Sequence, residues 1–571
     1  MTNSPDLLLE DIMALSNSLS GSDNVDLIIP KAIAIAAGIA DADGSFFFHV
    51  TPNHFMNLSY SRIDSLNTSI SGTSNMQLFP SVFLPDIKDK QSKRPAEACA
   101  INQEIINSSN IFNEPNIEAS FLQEFDEVNN YTTLSALVFP LFDSKHNVIG
   151  VAQFINARDS RGKIINFTND NQEKMIAVCQ MIAVALERKQ LTESYTQLLE
   201  SFVDVLAKAI DAKSPYTGLH CQKVPIITRM LASAAVSETA GPLKNFDMSD
   251  DDWYALHIAS WLHDCGKIIT PEYIIDKAAK LETIHNRIHE IRTRFEVLRR
   301  DAHIEYLQKR LHNIDTQENL QAEFVAKVKQ LNDDFEFIGT CNIGDTALTK
   351  EDIERLDKIA GRSFVRYFNR MTGLSWGEKK LINTPSVYTK PEVEYVLQDR
   401  PEQVAGPYNQ GELTNIKIIQ GTINDAEREK INEHIVTTIN MLKNLPFPSE
   451  LSNIVEYAGA HHERVDGKGY PNGLTGDQMS IPAKIMAIAD VYEALTAKDR
   501  PYKEPKKLSE VLKIMQEMKN NGHLDPDLYE LFIKSGVYLD YAKEYIDNSQ
   551  IDEINPCLLY TSPSPRDGAT S

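Results

Sequence analysis

The sequence predicts a multidomain chain: an N-terminal α+β domain, a long connector helix, and a C-terminal all-α domain interrupted by a helical insertion. Three observations carry this. Residues 1–170 mix short apolar runs of strand length with helical segments. Over 171–212 apolar residues recur repeatedly at spacings of three and four. Beyond residue 201 the pattern stays helical, except where 282–425 brings in a periodicity and a loop composition of its own.

The elements follow in order. Residues 44–50 (GSFFFHV) read as a strand, as do 134–142 (LSALVFPLF) and 148–156 (VIGVAQFIN). The last two flank DSKHN at 143–147, a turn by composition, so they form a hairpin. In the connector, Met175, Val178, Met181, Ile182, Ala185, Leu191, Leu198, Phe202, Val205 and Leu206 mark one face, with Glu and Lys between them. Such length without a cap suits a helix that pairs with its copy in a homodimer; two helices packed within one chain are the alternative. The insertion opens with Ile284, Ile288, Ile291, Phe295 and Leu298 and resumes at Phe324, Val328, Leu331 and Phe335. Two antiparallel helices bent back near 313–319 account for this. Residues 388–420 read as loop with a hairpin.

Composition limits the partners. Lys plus Arg is 57 against 80 Asp plus Glu, a formal charge of −23. That balance speaks against a nucleic-acid polymer or an anionic membrane surface as the main partner. No apolar run is long enough to cross a membrane, so no membrane insertion is expected. The N-terminus lacks a basic signal-like region, and six scattered cysteines form no disulfide framework; a cytoplasmic location fits. Residues 556–571 (PCLLYTSPSPRDGATS) break the composition and read as a translated adaptor, a non-native tail outside the fold.

Five fragments hold the histidine chemistry: YTGLH at 216–220, HDCGK at 263–267, INEH at 431–434, HHERVDGKGYP at 461–471 and AIAD at 487–490. His263 and Asp264 end an apolar helical stretch, and Asp490 lies inside another. Buried His and Asp must be paired or bind metal, because unpaired burial costs several kcal/mol, roughly 2–7. Five histidines and two aspartates from separate helices make a mixed N/O set suited to Fe, Mn or Zn rather than Mg. A shared carboxylate, for which Asp264 is placed, suits two metals about 3.5–4 Å apart.

The order of elements over roughly 8–190, with the PLFDSKHNVIGVAQFIN hairpin followed by Phe167, Asp170 and a helix, resembles a GAF domain. That resemblance assigns 1–170 to a sensory domain with an unknown small-molecule ligand and 171–212 to a connector and dimerisation helix. Asn156, Phe167 and Asp170 are loosely similar to the signature of cyclic-nucleotide-binding GAF domains. The position of the signature lysine holds Ala157, so cyclic-nucleotide binding there is not expected.

H-D-x-G-K at 263–267 and H-H-E-x-x-D-G-x-G-Y-P at 461–471, with Asp490 and DRPYK at 499–503, resemble an HD-GYP domain of the HD phosphohydrolases. The domain would be built from 201–281 and 426–545. The resemblance implies a metal-dependent cyclic di-GMP phosphodiesterase giving pGpG and, in some members, GMP. It implies His220, His263, Asp264, His434, His461, His462 and Asp490 as ligands of two divalent transition-metal ions. Lys267 and Asp264 would serve catalysis. Asp466, Gly469 and Tyr470 would line the nucleotide pocket, and Arg500 and Lys503 would grip phosphates. The third ligand histidine of the family is displaced here by the insertion: His434 takes the place, with His289 as the other candidate. Tyr216 stands where some members place a Glu for a third metal, so no third ion is expected. Alternatives are another cyclic dinucleotide or nucleotide as substrate, or a catalytically silent binding scaffold. Cys221 and Cys265 adjoin ligands but read as buried thiols. The row Arg287, Arg292, Arg294, Arg299 and Arg300 is either a lid over an anionic substrate or a solvated helix face.

Overall fold

β-Branched and aromatic runs in the N-terminal third pair into one antiparallel sheet. The structure, a computed structural model, describes residues 25–71, 81–84, 92, 94–115, 117–118, 120–213, 220–382, 391–400, 410–498 and 505–554. The chain divides into two compact units, 1–200 and 201–571.

In the first unit, helix α1 (Val25–Ile39) leads into β1 (Ala42–Val50), β2 (Phe55–Ile63), β3 (Thr68–Ser71) and β4 (Val82–Phe83). Then come α2 (Pro95–Asn102), β5 (Ile106–Ser108), α3 (Ser120–Asn129), β6 (Ala136–Phe142), β7 (Val148–Arg158) and β8 (Ile164–Ile165). The strand order is β3-β2-β1-β7-β6-β5, with β4 on β2 and β8 on β7. Alternation along β1 explains the FFF run, since successive side chains point to opposite faces. Phe47 packs with α1 and the start of helix α4 (Asn169–Lys213), while Phe46 and Phe48 pack under α2. Asn156 is wholly buried at φ +55°; its side chain accepts from the Leu134 amide and donates to Thr132 O and Tyr131 Oη. Its amide thus holds the β6 approach in place.

Helix α4 changes partner along its length. Met175, Val178 and Ile182 are buried against the sheet, whereas Val184, Leu191, Tyr195, Leu198, Phe202 and Val205 are exposed.

The second unit is helical: α5 (His220–Val236), α6 (Asp250–Leu262), α7 (Glu272–Ile275), α8 (Ile288–Leu311), α9 (Gln317–Ile343) and α10 (Lys350–Ala360). Strand β9 (Ser363–Arg366), α11 (Trp376–Leu381), β10 (Glu392–Tyr395) and α12 (Glu412–Ile416) follow. The chain ends on α13 (Asp425–Lys443), α14 (Ile454–Gly459), α15 (Ile481–Thr496), α16 (Leu508–Asn520), α17 (Pro526–Lys534) and α18 (Val537–Tyr545).

Helices α8 and α9 form the expected hairpin. Asn313 at φ +50° turns the chain and Thr316 caps α9. The insertion has its own core of Ile288, Ile291, Phe295, Leu331, Ile338, Leu356, Ile359 and Val396. One expectation is corrected: among the described residues, the strand within 388–420 pairs with β9, in register Arg366↔Glu392, and not with a neighbour inside that segment. The lid reading of the arginine row fails for two members. Arg287 and Arg294 are buried; Arg294 forms a forked pair with Glu412 at 2.7 and 3.0 Å, and Arg287 donates to Gln410 O. A charge so buried needs its carboxylate and is not free for a ligand. The tail 556–571 lies outside the described residues.

Candidate metal centre

Glycine decides how the centre is assembled. Helix α6 is started by a capping box of Ser249 and Asp252 and ends at His263. Asp264 leaves the helix at φ −102°, and a tight turn over 265–269 swings Lys267 back. A Cβ on Gly266 would sit 1.9 Å from His434 O and 2.7 Å from Thr438 N. Only glycine lets α13 lie directly on this turn, and the Gly266 amide donates to Thr438 Oγ1 at 2.9 Å. That approach brings His434 beside Asp264, with Nε2 3.2 Å from Oδ1.

The other side chains converge from the start of α5 (His220), the turn after α14 (His461, His462) and the middle of α15 (Asp490). His220 Nε2 lies 3.1 Å from Asp490 Oδ1, 3.3 Å from Asp264 Oδ2 and 3.3 Å from His263 Nε2. His263 and His461 meet edge to face at 4.8 Å, and His461 and His462 at 4.3 Å. Three overlapping groups have ligand atoms within 4.8 Å of one another: His220, His263 and Asp490; His263, Asp264 and His461; His434, His461 and His462. The structure thus brings together all seven side chains named from the sequence. It leaves His289 exposed on α8, beside Arg292.

The hydrogen bonds fix which nitrogen faces inward. Nδ1 of His263 bonds to Ser260 O at 2.7 Å, Nδ1 of His461 to Ala458 O at 2.6 Å, and Nδ1 of His434 to Ile431 O. Each must donate to its carbonyl, so each Nε2 presents a lone pair to the centre. His434 Nε2, His461 Nε2 and Asp264 Oδ1 are buried and make no hydrogen bond among the described residues. Leaving such atoms unsatisfied costs about 1–3 kcal/mol each. Buried acceptors aimed at one point are what a cation satisfies, so the residues fit a metal.

Electrostatics agree. Burial pushes the His461 ring well below its ordinary range, with His462 and His263 adding to the effect; burial takes His462 to about 4. Burial would raise Asp264 and Asp490, but Lys267 and His263 around the first, and His220 and His462 around the second, hold both well below the carboxylate range. Neutral imidazoles at His461 and His462 and ionised carboxylates are ligand forms a metal requires. His220 differs: burial alone would lower it, but Glu493, Asp264 and Asp490 hold the ring well above its ordinary range, so it must give up a proton when it binds an ion. Lys267 Nζ lies 2.5 Å from Asp264 Oδ2.

The loop after His462 is held from beneath. Buried Glu463 accepts from the amides of Asn472 (2.7 Å) and Leu474 (2.9 Å). A Cβ on Gly469 would lie 2.4 Å from Glu463 Cα, so the loop closes only with glycine there. Tyr470 stacks on His462 with centroids 4.9 Å apart. The Asp466 carboxylate is engaged inside the loop, accepting from Arg464 at 3.0 and 2.8 Å and from the Lys468 amide. Arg500 and Lys503 lie outside the described residues, as does Tyr216. Cys221 and Cys265 are buried with Ile210 and belong to none of the ligand groups.

Sequence reasoning missed Glu493. It is buried on α15 and accepts from His220 Nδ1. The signal was present: a glutamate three residues after Asp490 on an apolar helix needs a partner as much as the aspartate does.

Residues 407–528 match the family described as HD domain. The C-terminal part contains an HD domain. The match includes His434, His461, His462 and Asp490. The chain is 37% identical over 115 residues to a 3′3′-cGAMP-specific phosphodiesterase of Vibrio cholerae, covering 20% of this chain and 26% of that one. It is 39% identical over 119 residues to a cyclic di-GMP phosphodiesterase of Pseudomonas aeruginosa, covering 21% and 28%. The chain thus spans about a quarter of the length of these relatives. Among solved structures, the GAF domain of an Acinetobacter phosphoenolpyruvate-protein phosphotransferase aligns with 34% of this chain and 99% of its own, at 13% identity and TM-score 0.25.

Proposed function

We propose that this chain is a metal-dependent cyclic-dinucleotide phosphodiesterase, with cyclic di-GMP as substrate and pGpG, or further GMP, as product. The observation that carries the reading is the set of buried ring nitrogens of His434 and His461 and the Asp264 Oδ1 that lie in overlapping clusters of ligand atoms and make no hydrogen bond among the described residues. His220, His263, Asp264 and Asp490 would hold one divalent ion, and His434, His461, His462 and the shared Asp264 the other; the mixed N/O set favours Fe or Mn, with Zn possible. When bound, such a pair supplies Lewis acidity and a water of lowered pKa.

The chain's own residues do the rest. Glu493 orients His220, and backbone carbonyls orient His263, His434 and His461. Lys267, still protonated beside Asp264, offers positive charge where phosphate charge develops. Tyr470 offers an aromatic wall beside His462, against which a base can lie. By resemblance, Arg500 and Lys503 grip the second phosphate. The engagement of Asp466 with Arg464 supports a role in shaping the loop rather than reading the base.

Regulation is part of the proposal. The N-terminal domain senses a small ligand, and the exposed seam of α4 pairs with a second copy. Val184, Leu191, Leu198 and Val205 recur every seven residues, with Tyr195 and Phe202 between them, the pattern of a two-stranded coiled coil.

A second substrate, 3′3′-cGAMP, is favoured by the names of three relatives from Vibrio cholerae. Purification without added metal, elemental analysis and incubation with both cyclic dinucleotides tests the proposal. About two transition-metal ions per chain and hydrolysis of cyclic di-GMP are expected. Metal-free protein with full activity, or metal-loaded protein that cleaves neither compound, overturns it.

A further inference from the structure

The insertion carries an element that its own core does not explain. Strands β9 and β10 form a two-stranded ribbon in which Val365 faces Val393 and Ser363 faces Tyr395. Val365, Val393 and Tyr395 are exposed, while Glu394, one residue out of phase, is buried. The ribbon therefore turns an apolar face to water. Because Arg366 pairs with Glu392, the connection between the strands leaves from this end of the ribbon. It holds Tyr367, Phe368, Trp376 and Leu381, with Phe368 87% and Trp376 74% exposed. The turn is built rather than frayed: Arg366 is fixed by Glu392 and Glu394 and donates to Phe368 O.

Charge reverses here. In a chain of net −23, the segment 362–382 holds five basic residues and one acidic, and β10 adds Glu392 and Glu394. Arg362 is paired with Asp334, and Arg366 with Glu392 and Glu394, so the uncompensated positive charge lies on the connection. Arg370, Lys379 and Lys380 form no ion pair with a described residue. Lys380 Nζ sits 3.8 Å over the Trp376 ring, so cation and aromatic share one spot. Exposed aromatic rings fringed by lysine and arginine suit the boundary between acyl chains and anionic headgroups.

We infer that the β9–β10 ribbon and the α11 connection form a docking surface for an anionic lipid bilayer. The occupant follows from charge and shape. A second copy would bring like charge to like charge. Nucleic-acid bases would stack on the rings but leave Val365, Val393 and Leu381 in water. No helix among the described residues is long and apolar enough to cross a membrane, and the contact inferred here lies on the surface. This inference does not depend on the proposed hydrolysis.

The test uses the full chain with vesicles of phosphatidylcholine alone and of phosphatidylcholine mixed equally with phosphatidylglycerol. Cosedimentation with the mixed vesicles only is expected, with a blue shift in the emission lost in Trp376→Ser. Lys379→Glu with Lys380→Glu, and separately Phe368→Ser, should each lower vesicle partitioning by roughly tenfold or more while metal content stays unchanged. Absence of cosedimentation, binding unaffected by these variants, equal binding to neutral vesicles, or burial of Trp376 by self-association or by a single-stranded oligonucleotide instead would overturn the inference.

Discussion

Glu493 accepts a hydrogen bond from Nδ1 of His220, which starts a different helix, while Asp490, one turn earlier on the same helix as Glu493, lies 3.1 Å from Nε2 of the same ring. One helix thus contacts both nitrogens of one imidazole. Carboxylates behind ligand histidines fix ring orientation, and their loss typically lowers metal affinity by about 10–100-fold. Glu493→Gln, which keeps the size and an acceptor, should lose less metal than Glu493→Ala. Elemental analysis after dialysis against a weak chelator reads this directly; equal retention in wild type and Glu493→Ala would remove Glu493 from the centre.

His434 and His289 separate two alignments across the insertion. His434 is buried beside Asp264, and His289 is exposed on α8. His434→Ala should reduce bound metal and hydrolysis; His289→Ala should leave both unchanged. The opposite pattern in metal content would show that the insertion had been placed wrongly.

Lys267 should act on the transition state. Its ammonium lies beside Asp264, where, in the proposed reaction, negative charge would grow on phosphate. Lys267→Ala should lower kcat and kcat/KM together, by about 10²–10³-fold for loss of one preorganised donor. Arg500→Ala and Lys503→Ala should mainly raise KM, because the charge on the second phosphate changes little. Steady-state kinetics on cyclic di-GMP distinguish the two effects.

The seam on α4 predicts a concentration-dependent dimer. Leu191→Asp with Leu198→Asp puts charge at two core layers of the paired helices. Sedimentation equilibrium should then show a monomer where wild type dimerises. A wild-type monomer at all accessible concentrations would exclude the paired-helix route of regulation.

Thiol chemistry gives a pH test. Burial raises the Cys265 thiol to about 11, with Thr438 working against the shift, so the thiolate is scarce below that pH. In native protein at pH 8, Cys265 should resist an alkylating reagent that labels it fully after unfolding. Labelling should not increase until the pH nears 11 or the fold opens. Fast modification at pH 8 would mean a thiolate, and hence a role nearer the metals.

Local sequence determined much of this protein. The short apolar runs in GSFFFHV and VIGVAQFIN marked strands, and the structure buries them on both faces, as continuous apolar runs of strand length require. The recurrent three-four spacing specified α4. The resemblance carried by HDCGK and HHERVDGKGYP named the candidate ligands, and the apolar helices around His263, Asp264 and Asp490 gave the physical reason that these side chains would need partners. Tertiary structure decided what depends on distant chain segments meeting. That Gly266 must be glycine follows from the α13 backbone lying against it, some 170 residues later in the chain. Arg287 and Arg294 looked like a solvated or substrate-facing row until Glu412 and the carbonyl of Gln410 were brought against them. The partner of β10 lay beyond any local turn signal. Glu493 acquired a role only when α15 met the start of α5. A side chain's chemistry is local, but its desolvation and its partner are properties of the packed fold.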